Sequence, residues 1–129
     1  YKRQAFRHAD FDITELSLAS YVVSLANDAN EYTALPIFLS RAFRHSSIYV
    51  THESGIQKPE QMRGKRIGIA EYQLTANVWA RALLEDDYGV SPSEIVWVRG
   101  GMDAPLRPEK LRLDLPSDGR VDAVRPGEP

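Results

Sequence analysis

The length, composition and charge of the chain limit what kind of protein it can be. Its 129 residues are typical of one ordinary domain, and 43% hydrophobic with 26% charged residues are typical of a soluble globular protein, not a disordered or fibrous one. A formal net charge of −2 gives no electrostatic case for nucleic-acid binding, which would call for a basic stripe, so we expect no nucleic-acid partner. The chain contains no cysteine, which excludes disulfides, thiolate metal ligands and cysteine nucleophiles within it.

The apolar pattern and the two ends of the chain bear on location and completeness. No apolar run approaches the roughly 20 residues that a membrane helix needs, so we expect no membrane partner. The lack of cysteine fits a cytoplasmic protein, and a periplasmic location is the alternative. The chain opens at Tyr1 without an initiator Met, and after Met102 it becomes rich in Pro, Asp and Arg. We therefore expect part of a larger fold, with an irregular end.

The start of the chain predicts a helix, a strand and a second helix. Residues 1–9 can form one or two helical turns. Residues 11–16 alternate apolar and polar side chains, which is typical of a half-buried strand. Ser17 is a plausible N-cap for a second helix that runs to Asn27, where a turn follows.

Two further strands and a short helical turn are predicted next. Residues 32–39 are apolar and predict a strand, although Pro36 favours an edge position or a bend. Residues 46–51 carry a stronger strand signal, with β-branched and aromatic side chains. Pro59 is typical of the first residue of a helical turn.

The second half of the chain predicts a strand, a helix and another strand. The strand of this half that comes first in the chain is predicted at residues 65–70. Thr75 is a candidate N-cap for the clearest helix in the chain, and Gly89 would end that helix. The apolar stripe of this helix consists of Ala76, Trp79, Ala80, Leu83 and Leu84. Residues 95–98 form the next strand. Alternating strands and helices predict an α/β fold with mostly parallel pairing.

Three polar segments fall where parallel sheets bind ligands, beyond the carboxyl ends of strands and at the starts of helices. They are residues 15–20, 71–77 and 99–101. Two helix N-termini and a cation together favour a carboxylate or another small anion. Each segment is also typical of ordinary helix caps and turns, so a ligand site and ordinary caps remain open alternatives. The candidate residues in these segments are Glu15, Ser17, Ser20, Glu71, Tyr72, Gln73, Thr75, Asn77 and Arg99.

A basic cluster at residues 40–45 is a further candidate. His45 could act as a general acid, and Arg41 and Arg44 could bind carboxylates, while a solvated basic loop is the open alternative. The histidines lack metal-ligand spacing, so a metal site is unsupported. No phosphate-loop, serine-elbow or dinucleotide signature is present, and we predict no cofactor.

Long runs of the sequence are similar to one enzyme family. The runs cover residues 6–21, 36–50, 64–79, 81–90 and 96–101. They resemble the 4,5-dihydroxyphthalate decarboxylase family. The resemblance implies an α/β, type II periplasmic-binding-protein-like fold with two lobes and the ligand in the cleft between them, incomplete in this chain. It assigns residues 1–50 to part of lobe one, 51–64 to the crossover, 65–101 to the start of lobe two and 102–129 to an irregular or truncated tail.

The resemblance also implies a reaction. This is the non-oxidative decarboxylation of 4,5-dihydroxyphthalate to protocatechuate and CO2, which needs a general acid and cations that hold two carboxylates. The implied partner is therefore a small-molecule aromatic carboxylate, and the oligomeric state stays open. The alternative is a non-catalytic solute-binding protein for an aromatic or carboxylate ligand of a transport system.

Residue roles follow from this resemblance as hypotheses. The carboxylate binders would be Arg41, Arg44 and Arg99. His45 is the first candidate for the general acid, and Glu71 is the second catalytic candidate. Glu15, Glu71 or Tyr72 would orient the hydroxyl groups of the substrate.

Overall fold

The computed structural model describes residues 2–101, 111, 113–114 and 121–124. Its helices are α1 (Lys2–His8), α2 (Leu18–Ala26) and α3 (Thr75–Tyr88), and its strands are β1 (Arg66–Ile69), β2 (Val96–Arg99) and β3 (Val121–Ala123). Short 3-10 helices cover His45–Ser47, His52–Ser54, Pro59–Met62 and Pro92–Glu94. Among the described residues, no helix is both long enough and apolar enough to cross a bilayer.

The three strands form one parallel sheet in the order β1-β2-β3. Ile69 pairs with Arg99, and Arg99 pairs with Ala123, so the carboxyl ends of the strands lie along the same edge of the sheet. Because α3 connects two neighbouring parallel strands, β1, α3 and β2 form a β-α-β unit. The mostly parallel α/β fold predicted from the sequence is confirmed.

The hydrophobic core packs α3 and β2 against the connections around them. Its buried side chains are Met62, Leu84, Val90, Ile95 and Trp97. The indole Nε1 of Trp97 donates a hydrogen bond of 2.9 Å to the carbonyl oxygen of Pro92, so its polar atom is satisfied inside the core. Of the predicted apolar stripe on α3, Leu84 is buried, whereas Trp79 is 53% exposed.

The end of α3 is held by a glycine and an arginine. Gly89 has a φ of 64°, the left-handed conformation that ends a helix, as predicted. Arg63 donates from Nη2 to the carbonyl oxygen of Gly89 at 2.7 Å and from Nη1 to that of Glu60 at 3.3 Å. Its Nε also lies 3.2–3.3 Å from both carboxylate oxygens of Glu94. Arg63 therefore ties the 3-10 helix Pro59–Met62 to the end of α3 and the start of β2.

The first half of the chain is only partly as predicted. Both helices and the turn after α2 are confirmed, and in that turn the N–H of Ala29 donates to the carbonyl oxygen of Ser24 at 2.9 Å. The strands predicted at 11–16, 32–39 and 46–51 are wrong, since these residues are irregular except for one 3-10 helix.

The missing strands have a physical reason. Their apolar side chains predicted a buried face, but Ile13 and Tyr49 are each 88% exposed and Ile37 is 65% exposed. A strand needs a neighbour that pairs with its N–H and C=O groups. Within the part of the chain that the structure describes, the only sheet is β1-β2-β3, so these segments find no such neighbour.

One strand was not predicted. The composition after Met102 predicted a loop or tail, but Val121–Ala123 pairs in parallel with β2, so this prediction was wrong for these residues. So short an apolar run gives no recognisable period, and the neighbouring strand β2 is what makes it a strand. The rest of the predicted tail lies almost entirely outside the described residues. The lobe boundaries stay predictions.

Candidate functional site

The turn between β1 and α3, residues 70–74, places polar side chains at the carboxyl edge of the sheet. Glu71 is fully buried and Gln73 is 4% exposed. The side-chain Nε2 of Gln73 donates to Oε2 of Glu71 at 3.1 Å. Buried polar groups are costly unless they are hydrogen-bonded, and this carboxylate and amide are bonded to each other. The turn that carries them is the candidate site.

Two side chains of α3 hold the backbone of this β1–α3 turn. Asn77 donates from Nδ2 to the carbonyl oxygen of Glu71 at 2.6 Å, and Arg81 donates from Nη1 to the carbonyl oxygen of Tyr72 at 2.9 Å. Asn77 and Arg81 are four residues apart, so they lie on the same face of α3. Two consecutive carbonyl groups of the turn are thus tied to one helix.

Arg81 makes a second contact with Tyr72. Its guanidinium carbon lies 3.8 Å from the centre of the Tyr72 ring, and 5.7 Å from that of Trp97. Burial lowers the pKa of the Arg81 guanidinium from its usual value, and the charge interaction with Tyr72 opposes that shift. Arginine stays protonated in proteins, so a cation lies on the face of the Tyr72 ring.

The N-termini of α2 and α3 meet. The backbone N–H of Ala19 donates to Oγ1 of Thr75 at 3.1 Å, and Oγ of Ser17 lies 2.8 Å from the same atom. The positive ends of two helix dipoles therefore lie close together. Thr75 was predicted as the N-cap of its own helix, but Leu74 occupies that position and Thr75 instead satisfies an N–H of α2.

Arg99 and the start of α2 complete the group. Arg99 is the last residue of β2, and the N–H of Gly100 donates to the carbonyl oxygen of Ile69 at 2.9 Å, so Arg99 lies beside the start of the β1–α3 turn. Ser20 is fully buried in the first turn of α2, and its Oγ has no hydrogen-bond partner among the described residues. Glu15 is half-buried and precedes α2.

The basic cluster lies elsewhere. Nε2 of His45 is 3.0 Å from Oδ2 of Asp87, and the His45 ring packs edge-on against Tyr88. Asp87 follows Thr75 by twelve residues of α3, which is about 18 Å along a helix. Arg41 is exposed, with its guanidinium carbon 5.7 Å from the Phe38 ring, and Arg44 directly precedes His45. The structure does not bring His45 to the two helix N-termini, and the roles of all three residues stay predictions.

The described residues offer few metal ligands. Among them, no group of three or more His, Asp or Glu side chains lies close enough together to hold a metal ion. The hydroxyls, amides and guanidinium cations of the site can donate hydrogen bonds to an organic anion, whereas the carboxylate of Glu71 can take part only in proton transfer or in binding a hydroxyl group.

Comparison with known proteins decides the family. Residues 3–104 match the sequence model of the family described as "ABC transporter, phosphonate, periplasmic substrate-binding protein". The chain belongs to this family. Together with the parallel sheet, this confirms the α/β, type II periplasmic-binding-protein-like fold, of which the described residues form a part.

Two curated relatives carry the name predicted from the sequence. The 4,5-dihydroxyphthalate decarboxylase of Comamonas testosteroni is 58% identical over 113 residues, which are 88% of the chain and 34% of that relative. The 4,5-dihydroxyphthalate decarboxylase of Pseudomonas putida is 55% identical over 119 residues, 92% of the chain and 46% of that relative. The resemblance is confirmed. The chain spans less than half the length of either relative.

Sequence reasoning missed one residue of this site. Arg81 was not a candidate, although it contacts both the backbone and the ring of Tyr72. A signal was present, because Arg81 follows the candidate Asn77 by one helical turn and therefore shares its face. The residues that are brought together are Ser17, Ser20, Glu71, Tyr72, Gln73, Thr75, Asn77, Arg81 and Arg99.

Proposed function

We propose that the protein carrying this chain decarboxylates 4,5-dihydroxyphthalate to protocatechuate and CO2 without oxidation. The observation that carries the proposal is the meeting of the α2 and α3 N-termini at Thr75, beside the carboxyl edge of the sheet that ends in Arg99. Two positive helix ends and a guanidinium match a ligand with two adjacent carboxylates. The names of the two relatives at 55% and 58% identity supply the substrate.

The chemistry requires one proton to reach the ring. The hydroxyl group opposite a carboxylate pushes electrons toward the carbon that bears it, and a general acid protonates that carbon. The bond to the carboxylate then breaks, CO2 leaves, and the electron pair of that bond restores the aromatic ring. The proton taken up replaces the CO2, so the ring is neither oxidised nor reduced.

Different residues of the site bind the substrate and transfer the proton. Arg99 and the helix N-termini bind the carboxylates, and Tyr72, which is half-buried, orients a hydroxyl group. Of the two candidate acids, Glu71 lies in the group and His45 is paired with Asp87 near the far end of α3. We therefore assign proton transfer to Glu71. Because Glu71 is fully buried here, substrate reaches it only when the structure around the β1–α3 turn opens.

The test is direct. The protein, expressed from its complete gene and purified, is incubated with 4,5-dihydroxyphthalate while protocatechuate and CO2 are measured. We expect both products in equal amounts. Substrate that is bound but not consumed would overturn the proposal.

The second candidate function is a non-catalytic binding protein for an aromatic or carboxylate solute. The match of residues 3–104 to a transporter-binding family supports it. Calorimetric binding of 4,5-dihydroxyphthalate without product formation would favour this alternative. The location differs too, since we place the decarboxylase in the cytoplasm and a transport protein in the periplasm; fractionation of cells that express the complete gene distinguishes the two.

A further inference from the structure

We propose that Arg81 is a positioning residue of the candidate site, which sets the conformation of the β1–α3 turn by holding Tyr72. The kinetic part of this proposal rests on the proposed function, and its structural part does not. Arg81 touches no group that would react, so it is not a catalytic residue.

Arg81 holds Tyr72 at two points. Its Nη1 donates to the Tyr72 carbonyl oxygen at 2.9 Å, and its guanidinium carbon lies 3.8 Å from the centre of the Tyr72 ring. The first contact fixes the backbone and the second fixes the side chain. A planar guanidinium can donate in its plane while stacking through its face, which the compact ammonium of lysine cannot do.

Tyr72 is the central residue among the polar groups of the turn. Its neighbours Glu71 and Gln73 are buried and hydrogen-bonded to each other. Thr75, which meets α2, follows at the end of the turn. A change in the backbone at Tyr72 would move the buried pair on both sides, and with it the surface that receives the ligand.

Arg81 is itself held firmly. It is half-buried, and its guanidinium carbon lies 5.7 Å from the ring of Trp97, a buried residue of the core. A mobile side chain would lose conformational entropy when it contacts Tyr72, and this loss is smaller for a side chain that the core already holds in place. The core thus orients Arg81, and Arg81 orients the turn.

The chain supplies a matched control. Arg63 also donates to backbone carbonyl groups, at Glu60 and Gly89, but it does so at the opposite end of α3. Loss of Arg63 therefore removes similar bonds without touching the β1–α3 turn. A change in kinetics or hydrogen exchange that follows substitution of Arg81 but not of Arg63 is therefore caused by the position of Arg81 at the site. It is not a general result of losing an arginine–carbonyl hydrogen bond.

The experiment uses the complete protein with three substitutions: Arg81→Met, Arg81→Lys and Arg63→Met. Steady-state kinetics with 4,5-dihydroxyphthalate give KM and kcat, and hydrogen exchange reports the opening of backbone amides in residues 70–77. For Arg81→Met we expect KM to rise about tenfold and kcat to fall about tenfold, because the turn carries both the binding residue Tyr72 and the proposed acid Glu71. We expect Arg81→Lys to fall between Arg81→Met and the unchanged protein, since it keeps the charge.

Exchange should rise in residues 70–77 for Arg81→Met and stay unchanged there for Arg63→Met. A lower melting temperature with unchanged KM and unchanged exchange in the turn would make Arg81 merely structural and overturn the proposal. If the unchanged protein forms no product, the proposed function fails, and hydrogen exchange alone tests the positioning role of Arg81. Faster hydrogen exchange in residues 70–77 of Arg81→Met then supports that role, and unchanged exchange overturns it. Arg81→Lys provides the same readouts if Arg81→Met does not fold.

Discussion

The hydroxyl of Thr75, at the start of α3, accepts a hydrogen bond of 3.1 Å from the backbone N–H of Ala19 in α2. Residues 56 positions apart in the chain are thereby joined at the N-termini of two helices. A hydroxyl oxygen occupies the place where a helix N-terminus would bind an oxygen of an anion. The contact therefore marks both where the two helices meet and where a carboxylate would compete.

Replacing Thr75 with Val keeps the shape of the side chain and removes its hydroxyl. We expect the free energy of unfolding to fall by about 1–2 kcal/mol, because the Ala19 N–H and the Ser17 hydroxyl both lose a partner. Urea denaturation of the complete protein measures this. The same change at the exposed Thr33 should alter stability by less than about 0.5 kcal/mol. Equal losses at both positions would show that the contact does not stabilise the protein.

Replacing Glu71 with Gln should abolish most turnover while preserving the shape of the site. We expect kcat to fall at least about a hundredfold, since a general acid contributes roughly that much or more. His45→Gln should stay within about threefold of the unchanged protein, because His45 is paired with Asp87 away from the site. Protocatechuate formation measures both. A large loss for His45→Gln with near-normal turnover for Glu71→Gln would return the acid role to His45.

Replacing Arg63 with Met should lower stability without altering ligand binding. The substitution removes bonds to Gly89, Glu60 and Glu94, and we expect a loss of about 1–3 kcal/mol in the free energy of unfolding. Part of the Arg63 side chain is exposed, which keeps the loss modest. Arg66, exposed in β1, is the matched position for comparison, and Arg66→Met should change stability far less. Similar losses for both would contradict the role of Arg63.

Replacing Leu84 with Ala tests the core. Leu84 is 2% exposed and packs among Met62, Val90, Ile95 and Trp97. We expect a loss of about 2–5 kcal/mol in the free energy of unfolding, because the truncation leaves a cavity. Leu35, which is 67% exposed, provides the comparison, and Leu35→Ala should cost less than about 0.5 kcal/mol. A small effect at Leu84 would mean that the core lies elsewhere.

The sequence predicted best where local signals and tertiary partners agree. The helix α3, its end at Gly89 and the flanking strands β1 and β2 follow from periodicity and from a left-handed glycine. In this unit each strand finds its neighbour within the described chain. The parallel α/β fold could therefore be predicted.

Prediction failed where structure depends on partners. Residues 11–16 alternate like a strand, but no strand in the described part of the chain lies beside them, and Ile13 is exposed. Conversely, Val121–Ala123 shows almost no pattern and becomes a strand because β2 lies beside it. Periodicity indicates which face can be buried, but not whether another element is there to cover it.

For the site, sequence order located the segments but not their contacts. The polar segments 71–77 and 99–101 lie at the carboxyl ends of β1 and β2 as expected. Residues 15–20 follow no strand among the described residues, and Ser17 and Ala19 reach the group through their contacts with Thr75. It could not be foreseen that Thr75 would bond to α2 instead of capping α3, since that depends on two helices meeting. The contacts of Arg81 likewise arise only from packing against the turn.

The two carbonyl groups bound by Asn77 and Arg81 have a consequence for motion. Because both donors belong to α3, opening of the turn with the helix fixed would break both hydrogen bonds. A motion that keeps both hydrogen bonds would move α3 and the turn together as one rigid body. Separation of α2 from α3 would break both hydrogen-bonding contacts that converge on the Thr75 hydroxyl.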